Sequence, residues 1–141
     1  MNDVKQVARY IAENYGYDHV IGMKEFESLL GVELPTVGSL QTIQAAQMAR
    51  MTAIDQVARE LLKEHSLMLQ NVRAEGYRIV HPQVQVVTAV QESHRKIGKE
   101  LVKAKRRVVF IRVDELSTAQ QREREDALAK LSSIGKMLKG K

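Results

Sequence analysis

The chain has no cysteine and no tryptophan, and only two of its 141 residues are proline. Without cysteine, a disulfide scaffold and a zinc site with cysteine ligands are both excluded, which fits a reducing compartment. Aromatic residues make up only 4% of the sequence, so a hydrophobic core has to be built from aliphatic side chains. These absences predict an intracellular protein with an aliphatic core.

Long apolar segments are missing as well. No run of the sequence approaches the ~20 residues that a membrane-spanning helix needs. The N-terminal segment MNDVKQVARY lacks the apolar region of a signal peptide. We therefore expect a soluble protein of the cytoplasm with no membrane partner, long enough for one compact domain and an appendage.

Motifs of catalysis and metal binding are not found in the sequence. It contains no P-loop, dinucleotide-binding fingerprint or nucleophile elbow. None of its four histidines lies three or four residues from another, the spacing that suits a metal site on a helix. We expect a protein that is not an enzyme and that uses neither a cofactor nor a metal ion.

The positive charge of the chain is concentrated in one segment. The formal net charge is +5, yet residues 1–66 contain 6 basic and 9 acidic residues. Residues 94–112, by contrast, contain 8 lysines and arginines against Glu100 alone. Such a segment is typical of an arm that binds a polyanion, although a solvated helix face or a site for an acidic protein would give the same pattern.

The spacing of apolar residues predicts a mainly helical chain. We expect helices over residues 3–15, 23–30 and 39–65, with Ser39 capping the third, and a fourth helix that begins at Pro82. This fourth helix is expected to break within VVFIRV, residues 108–113, and Ser117 with Gln120 has the spacing of a capping box for a last helix. In the third helix, one apolar stripe is expected through most of its length, formed by Leu40, Ile43, Met51, Ile54, Val57, Ala58, Leu61 and Leu62.

Between the third and fourth helices, QNVRAEGYRIV predicts a β-hairpin. The stretch IDQVARELLKEHSLMLQNVRAEGYRIV, residues 54–80, resembles the recognition helix and wing of response-regulator-type winged helix-turn-helix domains. The wing of that family typically reads V-R-G-x-G-Y-R, and its positions are matched here by Val72, Arg73, Gly76, Tyr77 and Arg78. Ala74 replaces the glycine usual at the turn, which predicts a different turn geometry.

The residues of the hairpin suggest the role of each position. We expect Gly76 to supply a backbone conformation that other residues enter at a cost, and Tyr77 to anchor one strand on the core. Arg73 and Arg78 would reach phosphates or a minor groove. In layout, the chain is also similar to small phage-encoded proteins that join a winged-helix-like head to a basic helical segment, which implies a DNA-linked role in a host cytoplasm.

The sequence therefore predicts a mainly α fold with one β-hairpin. We expect a winged helix-turn-helix-like head over residues 1–81 and a basic helical hairpin over residues 82–141. Because a two-helix hairpin buries little surface by itself, we expect the second region to form a homodimer or a higher homo-oligomer.

The predicted function is non-enzymatic nucleic-acid binding, as expected of a regulatory protein. Duplex DNA is the favoured ligand, and single-stranded DNA is kept as the other candidate ligand. The alternative is a phage-type interaction module that inhibits or redirects a host nucleic-acid enzyme. Gln44, Gln47 and Gln56 are further candidate readers on the third helix. The candidate binding residues are Arg50, Arg59, Lys63, Arg73, Arg78, Arg95, Lys96, Lys99, Lys103, Lys105, Arg106 and Arg107.

Overall fold

The computed structural model of the chain describes residues 2–139, which are mainly helical with a small three-stranded antiparallel sheet. The chain divides into two compact units between Gln85 and Val86. We call residues 2–85 the head and residues 86–139 the tail. In chain order, the elements are α1 (Val4–Asn14), β1 (Val20–Gly22), α2 (Met23–Leu30), α3 (Leu40–His65), β2 (Leu69–Val72), β3 (Gly76–Ile79), α4 (Pro82–Val109), a 3₁₀ turn (Val113–Glu115) and α5 (Thr118–Lys139).

The ends of the helices confirm the signals in the sequence. The Ser39 Oγ accepts a hydrogen bond from the Thr42 N–H at 3.2 Å and so caps α3. Pro82 is the first residue of α4, where its missing N–H costs nothing. Ser117 and Gln120 cap the start of α5 reciprocally, with backbone-to-side-chain hydrogen bonds of 3.0 and 3.2 Å.

The end of α4 at Val109 confirms that the helix breaks within VVFIRV. Arg124 of α5 satisfies the carbonyls at that end. Its Nε donates to the Val108 oxygen at 2.9 Å, and its Nη2 donates to the Val109 oxygen at 3.3 Å. Because the last carbonyls of a helix have no partner within the helix, a guanidinium from α5 acts as the cap of α4.

The predicted hairpin is confirmed, and the sheet has a third strand that was not predicted. β3 lies in the centre, paired antiparallel with β2 on one side and with β1 on the other. Tyr77 and Ile79 of β3 face the core, and alternation along the strand turns Arg78 to the opposite face. On that face Arg78 is flanked by Val20 of β1 and Gln70 of β2.

Gly76 has the unusual conformation predicted for it. Its φ is 143°, and a Cβ built at this position would lie 2.0 Å from the Ile21 carbonyl oxygen. The close approach of β1 therefore requires glycine here in addition to the backbone angle. At the turn itself, the Glu75 N–H donates to the Val72 oxygen at 3.0 Å, and Ala74 adopts a left-handed φ of 65°.

The core of the head is aliphatic around one aromatic ring. α1, α2 and α3 contribute most of it, and the Phe26 ring meets the Tyr77 ring edge-on at 5.6 Å. After α1, Tyr15 donates its hydroxyl hydrogen to the Glu25 carboxylate of α2 and stacks on His19 at 4.5 Å. The fully covered side chains include Ile11, Ile21, Phe26, Leu30, Ile54, Val57, Leu61 and Ile79.

The prediction for the buried side of α3 was wrong at three positions. Leu40, Met51 and Leu62 are 70%, 54% and 51% exposed. Three other members of the predicted stripe, Ile54, Val57 and Leu61, are buried in the core as expected, together with Ala53. With 3.6 residues per turn, that set puts Ile43 and Ala46 on its own side of the helix and turns Met51 and Leu62 away from the core.

The tail contains no fully buried residue in its two helices, within the range that the structure describes. Leu101, Ala104 and Val108 of α4 are half-buried. On α5 the half-buried apolar side chains include Leu128, Leu131 and Leu138. The apolar side chains along α4 are therefore only partly covered, and Val86, Val87 and Val90 at its start are 73%, 56% and 47% exposed.

Candidate nucleic-acid interface

The outward side of α3 carries three of the helix residues proposed as DNA readers, Arg59, Lys63 and Gln56. Gln47 is two turns before the buried Ile54 and lies on that residue's side of the helix. Arg59 and Lys63 lie one turn apart and are both exposed. Gln44, Gln47 and Gln56 are also exposed. A glutamine amide can bond an adenine edge through two hydrogen bonds, so a readout surface on α3 does not depend on positive charge alone.

Arg50 lies in a different environment from the other candidates. Its guanidinium forms an ion pair with Glu27 of α2, and the two side chains are only 18% and 21% exposed. The Arg50 Nε is buried without a partner among the described residues. Arg50 therefore joins α3 to α2 inside the head. The pair is 23 residues apart in the sequence, so no helix periodicity indicates it.

The hairpin presents its two arginines differently. Arg73 is exposed at the turn between β2 and β3, whereas Arg78 is half-buried on the outer face of the sheet. Tyr77, between the turn and Arg78, is fixed against the core. Burial raises the pKa of Tyr77, and the nearby Asp55 carboxylate adds to this rise. The hairpin is therefore held on the core through Tyr77, and it exposes the Arg73 guanidinium at its turn.

The basic segment of α4 forms the largest group of exposed cations. Helical spacing places six exposed lysines and arginines of this segment on the side of α4 opposite Leu101 and Val108. From first to last they span about 18 Å at 1.5 Å per residue. The exposed members are Arg95, Lys96, Lys99, Lys103, Arg106 and Arg107. We call these six residues the α4 cation row.

Most of the α4 cation row is not neutralised. Within the described part of the tail, its one ion pair joins Lys103 to Glu100 at 3.5 Å, between two exposed side chains. An exposed pair of this kind contributes little stability, so phosphate can replace Glu100 easily. The other five members form no ion pair in that part of the chain.

Lys105, the remaining candidate of α4, is turned toward α5. It is half-buried, and its Nζ lies 3.7 Å from the position that a Cβ on Gly135 would occupy. It therefore borders the space between the two helices of the tail and does not join the α4 cation row. Helix periodicity around the apolar residues Leu101 and Val108 is the signal that distinguishes it from its neighbours.

Over residues 2–139, no three histidine, aspartate or glutamate side chains come together as ligands for a metal ion. Over the same range, no helix is both long enough and apolar enough to cross a bilayer. No protein-family model, curated protein or solved structure matches the chain.

Proposed function

We propose that the chain is a non-enzymatic DNA-binding protein with a regulatory role. The α4 cation row is the observation that carries this proposal, because it is a run of exposed positive charge with almost no acidic partner in the tail. Phosphate contacts supply most of the affinity of such proteins. The similarity in layout to phage-encoded proteins supports a role in transcription regulation in a host cytoplasm.

We further propose that the head is a winged helix-turn-helix domain. Three helices followed by a β-hairpin, with the outward side of α3 exposed, support this assignment. In this proposal α3 enters the major groove with Arg59, Lys63 and Gln56. Arg73 at the wing turn contacts the phosphate backbone or the minor groove. Arg50 takes no part, because its charge is already paired with Glu27.

Duplex DNA is the favoured ligand. Proteins that hold single strands stack bases on exposed aromatic rings. Of the exposed aromatic side chains that the structure describes, Tyr10 and Tyr17 lie in the head, and a single ring, Phe110, follows the α4 cation row four residues after Arg106. Phosphates, by contrast, suit a straight row of cations about 18 Å long. If five cations meet phosphates, log K should fall with log salt with a slope of about −4.5.

Fluorescence anisotropy with matched duplex and single-stranded oligonucleotides, repeated across a salt series, tests the proposal. The variant K103E/R106E/R107E should bind duplex more weakly, and its salt slope should be shallower by about 2.7. K5E/R9E/K24E is the matched control, since it reverses three exposed head cations outside the proposed interface and changes the net charge equally. No duplex binding at low salt, or an equal loss in the control, would contradict the proposal.

A second function, as a protein-interaction module, is favoured by one surface of the head. Residues 35–54 contain a single charged residue, the paired Arg50. Leu40, Met48 and Met51 in this stretch are 70%, 64% and 54% exposed. Met48 and Met51 lie one turn apart, and neighbouring exposed apolar side chains are typical of protein contact sites. The partner in this case is a host enzyme that acts on nucleic acid.

Substitution of Leu40, Met48 and Met51 distinguishes the DNA-binding function from the protein-interaction function. L40S/M48S/M51S should keep the wild-type affinity for duplex DNA if the α4 cation row carries the function. If the chain instead inhibits a host polymerase through this surface, that variant should lose inhibition in a synthesis assay, whereas K103E/R106E/R107E should retain it.

A further inference from the structure

The two helices of the tail lack a core of their own. Within the range that the structure describes, α4 and α5 contain no buried residue, whereas the head buries a full set of apolar side chains. Helices in proteins are stabilised mainly by the packing of an amphipathic face, so helices of 28 and 22 residues require a further surface to pack on. The apolar residues that the tail leaves exposed indicate where that surface lies.

The contact between α4 and α5 covers one strip of each helix. Arg124 lies beside Val108, since its Nε donates to the Val108 oxygen at 2.9 Å. Seven residues back along α4 and seven residues on along α5, the antiparallel pair brings Leu101 level with Leu131. The half-buried residues of the two strips include Gly98, Leu101, Lys105 and Val108 on α4, and Arg124, Leu128, Leu131, Gly135 and Leu138 on α5. Both helices therefore have free flanks.

One flank carries apolar side chains at intervals of seven residues on both helices. On α4 these are Val90, Ile97 and Ala104, and on α5 they are Ala127 and Ile134. Residues seven apart on a helix nearly coincide in direction, so each set forms a line parallel to the contact. Ile97 and Ile134 remain 41% and 42% exposed although both lie next to that contact. We call these five residues the tail face.

The two lines of the tail face turn to the same side of the helix pair. At 100° per residue, Ile97 is rotated by about −40° from Leu101, and Ile134 by about −60° from Leu131. In an antiparallel pair, rotations of the same sense lead to the same side. The opposite side contains a groove whose rim is basic and consists of Lys105, Lys136 and Lys139. Self-association through that groove would bring like charges together, so the tail face is the side that suits a second copy.

The edges of the tail face carry charges of both signs. Glu100 and Arg107 flank it on α4, Glu123 and Lys130 flank it on α5, and all four are exposed. By the register of the two helices, Glu100 and Lys130 differ by only about 3 Å in height along the pair, as do Arg107 and Glu123. When α4 of one copy faces α5 of the other, an acid therefore meets a base at both heights. Glu100 also contacts Lys103, in an exposed pair that contributes little stability.

We propose that the tail face binds the tail face of a second copy, so that two helix pairs form a four-helix bundle with α4 of each copy opposite α5 of the other. All neighbouring helices are then antiparallel, as in up-and-down bundles. The two α4 cation rows lie at opposite corners of the bundle and point outward, which keeps their like charges apart. This dimer goes beyond the proposed DNA binding and does not depend on it.

The side chains of the tail face meet in matching layers. Ile97 and Ile134 lie within about 1.5 Å of the same height, so the four isoleucines of two copies form one layer. Ala104 and Ala127 are level to the same extent, and their small side chains form a second layer in which the helices can approach closely. A two-fold axis parallel to the helices brings each residue opposite its layer partner, because both surfaces are the same patch.

The area of the tail face is sufficient for a specific dimer. The two helices run side by side from Gln120 to Leu138 of α5, about 27 Å at 1.5 Å per residue. At about 10 Å per helix the face is about 20 Å wide, so each copy contributes roughly 540 Å² in projection. Two copies together bury roughly 1,100 Å², above the ~1,000 Å² expected of a specific interface, and interdigitation of side chains adds to this. We expect a dimer that forms at micromolar concentrations and dissociates on dilution.

Sedimentation equilibrium of the full chain, from low micromolar to several hundred micromolar, tests the proposal. The wild type should change from monomer to dimer over this range. I97E should weaken the dimer at least tenfold, because it places a charge in the isoleucine layer. V102E is the matched control, since Val102 lies on the opposite flank of α4 and is 51% exposed, and it should keep the wild-type dimer. Far-UV circular dichroism of both variants separates a lost dimer from a lost helix.

Charge reversal at the exposed edges provides an arm that leaves the apolar residues intact. E100K places a lysine near Lys130 of the other copy, and K130E places a glutamate near Glu100, so each should weaken the dimer. The double variant E100K/K130E should restore it. An unrelated occupant of the tail face would not require this reciprocity.

Chemical cross-linking tests which helices face each other. The chain has no cysteine, so introduced thiols are the only sites for a short bismaleimide. E100C/K130C should give a covalent dimer, whereas E100C alone should not, because the two α4 helices lie at opposite corners of the bundle.

Four results would overturn the proposal: a wild type that stays monomeric at the highest concentration, an equal loss in I97E and V102E, a double reversal weaker than both single reversals, or efficient cross-linking of E100C alone. Since no DNA is present, failure here and failure of DNA binding are separate results.

Discussion

Replacing Gly76 by alanine should destabilise the head by roughly 3–4 kcal/mol, from the cost of a left-handed conformation and the overpacking of the new methyl group. The φ of Gly76 is 143°, and the added Cβ would lie 2.0 Å from the Ile21 carbonyl oxygen and 2.9 Å from its carbon. Both obstacles are backbone atoms of β1, so relief requires separation of β1 from β3. A protein of this size has a total stability of about 5–15 kcal/mol, so the loss is a large fraction of it.

Urea unfolding followed by tyrosine fluorescence measures this loss in the intact chain. All four tyrosines, at positions 10, 15, 17 and 77, lie in the head, so the signal reports on that unit alone. Gly16→Ala is the matched control, because no atom lies within 4 Å of its added Cβ and its φ is not positive. It should change the free energy of unfolding by no more than about 0.5 kcal/mol. A loss below about 1 kcal/mol for Gly76→Ala would refute the requirement for glycine.

Two further predictions concern the turn and the tyrosines. Ala74→Gly should raise the free energy of unfolding by up to about 1 kcal/mol, because glycine accepts the φ of 65° without the penalty of a Cβ; a lower stability in the same urea assay would contradict this. The hydrogen bond to Glu25, together with burial and the negative charge of Glu25, raises the pKa of Tyr15 from 10.0 to about 12. Since the unfolded chain releases this proton first, the contribution of Tyr15 to stability is complete below pH 10 and is lost as the pH rises to about 12. In a titration of tyrosinate absorbance, Tyr15→Phe should remove a component near pH 12; an unchanged curve would count against the Glu25 contact.

The ends of the helices could be predicted from the sequence because their causes are local. Ser39, Pro82 and the pair Ser117–Gln120 act within one turn of the helix that they begin. The mainly helical fold and the hairpin could also be predicted, because the spacing of apolar residues and the turn residues are equally local in the sequence.

Features that depend on distant residues could not be predicted. β1 has only three residues, too few to show an alternating pattern, and it exists because β3 provides a partner more than 50 residues later. The ion pair of Arg50 with Glu27 arises in the same way, from the packing of α2 on α3. The apolar residues of α3 that face solvent misled the prediction, since apolar character alone does not show which side of a helix is covered.

The cap that Arg124 provides for α4 has a consequence for the order in which the tail becomes ordered during synthesis. The Val108 and Val109 carbonyls receive their hydrogen bonds from a residue that leaves the ribosome only after the turn and the start of α5. Until then the last turn of α4, which carries Arg106 and Arg107, ends without this partner and frays more readily. The most basic turn of the chain thus becomes rigid late, and only once α5 has returned alongside it.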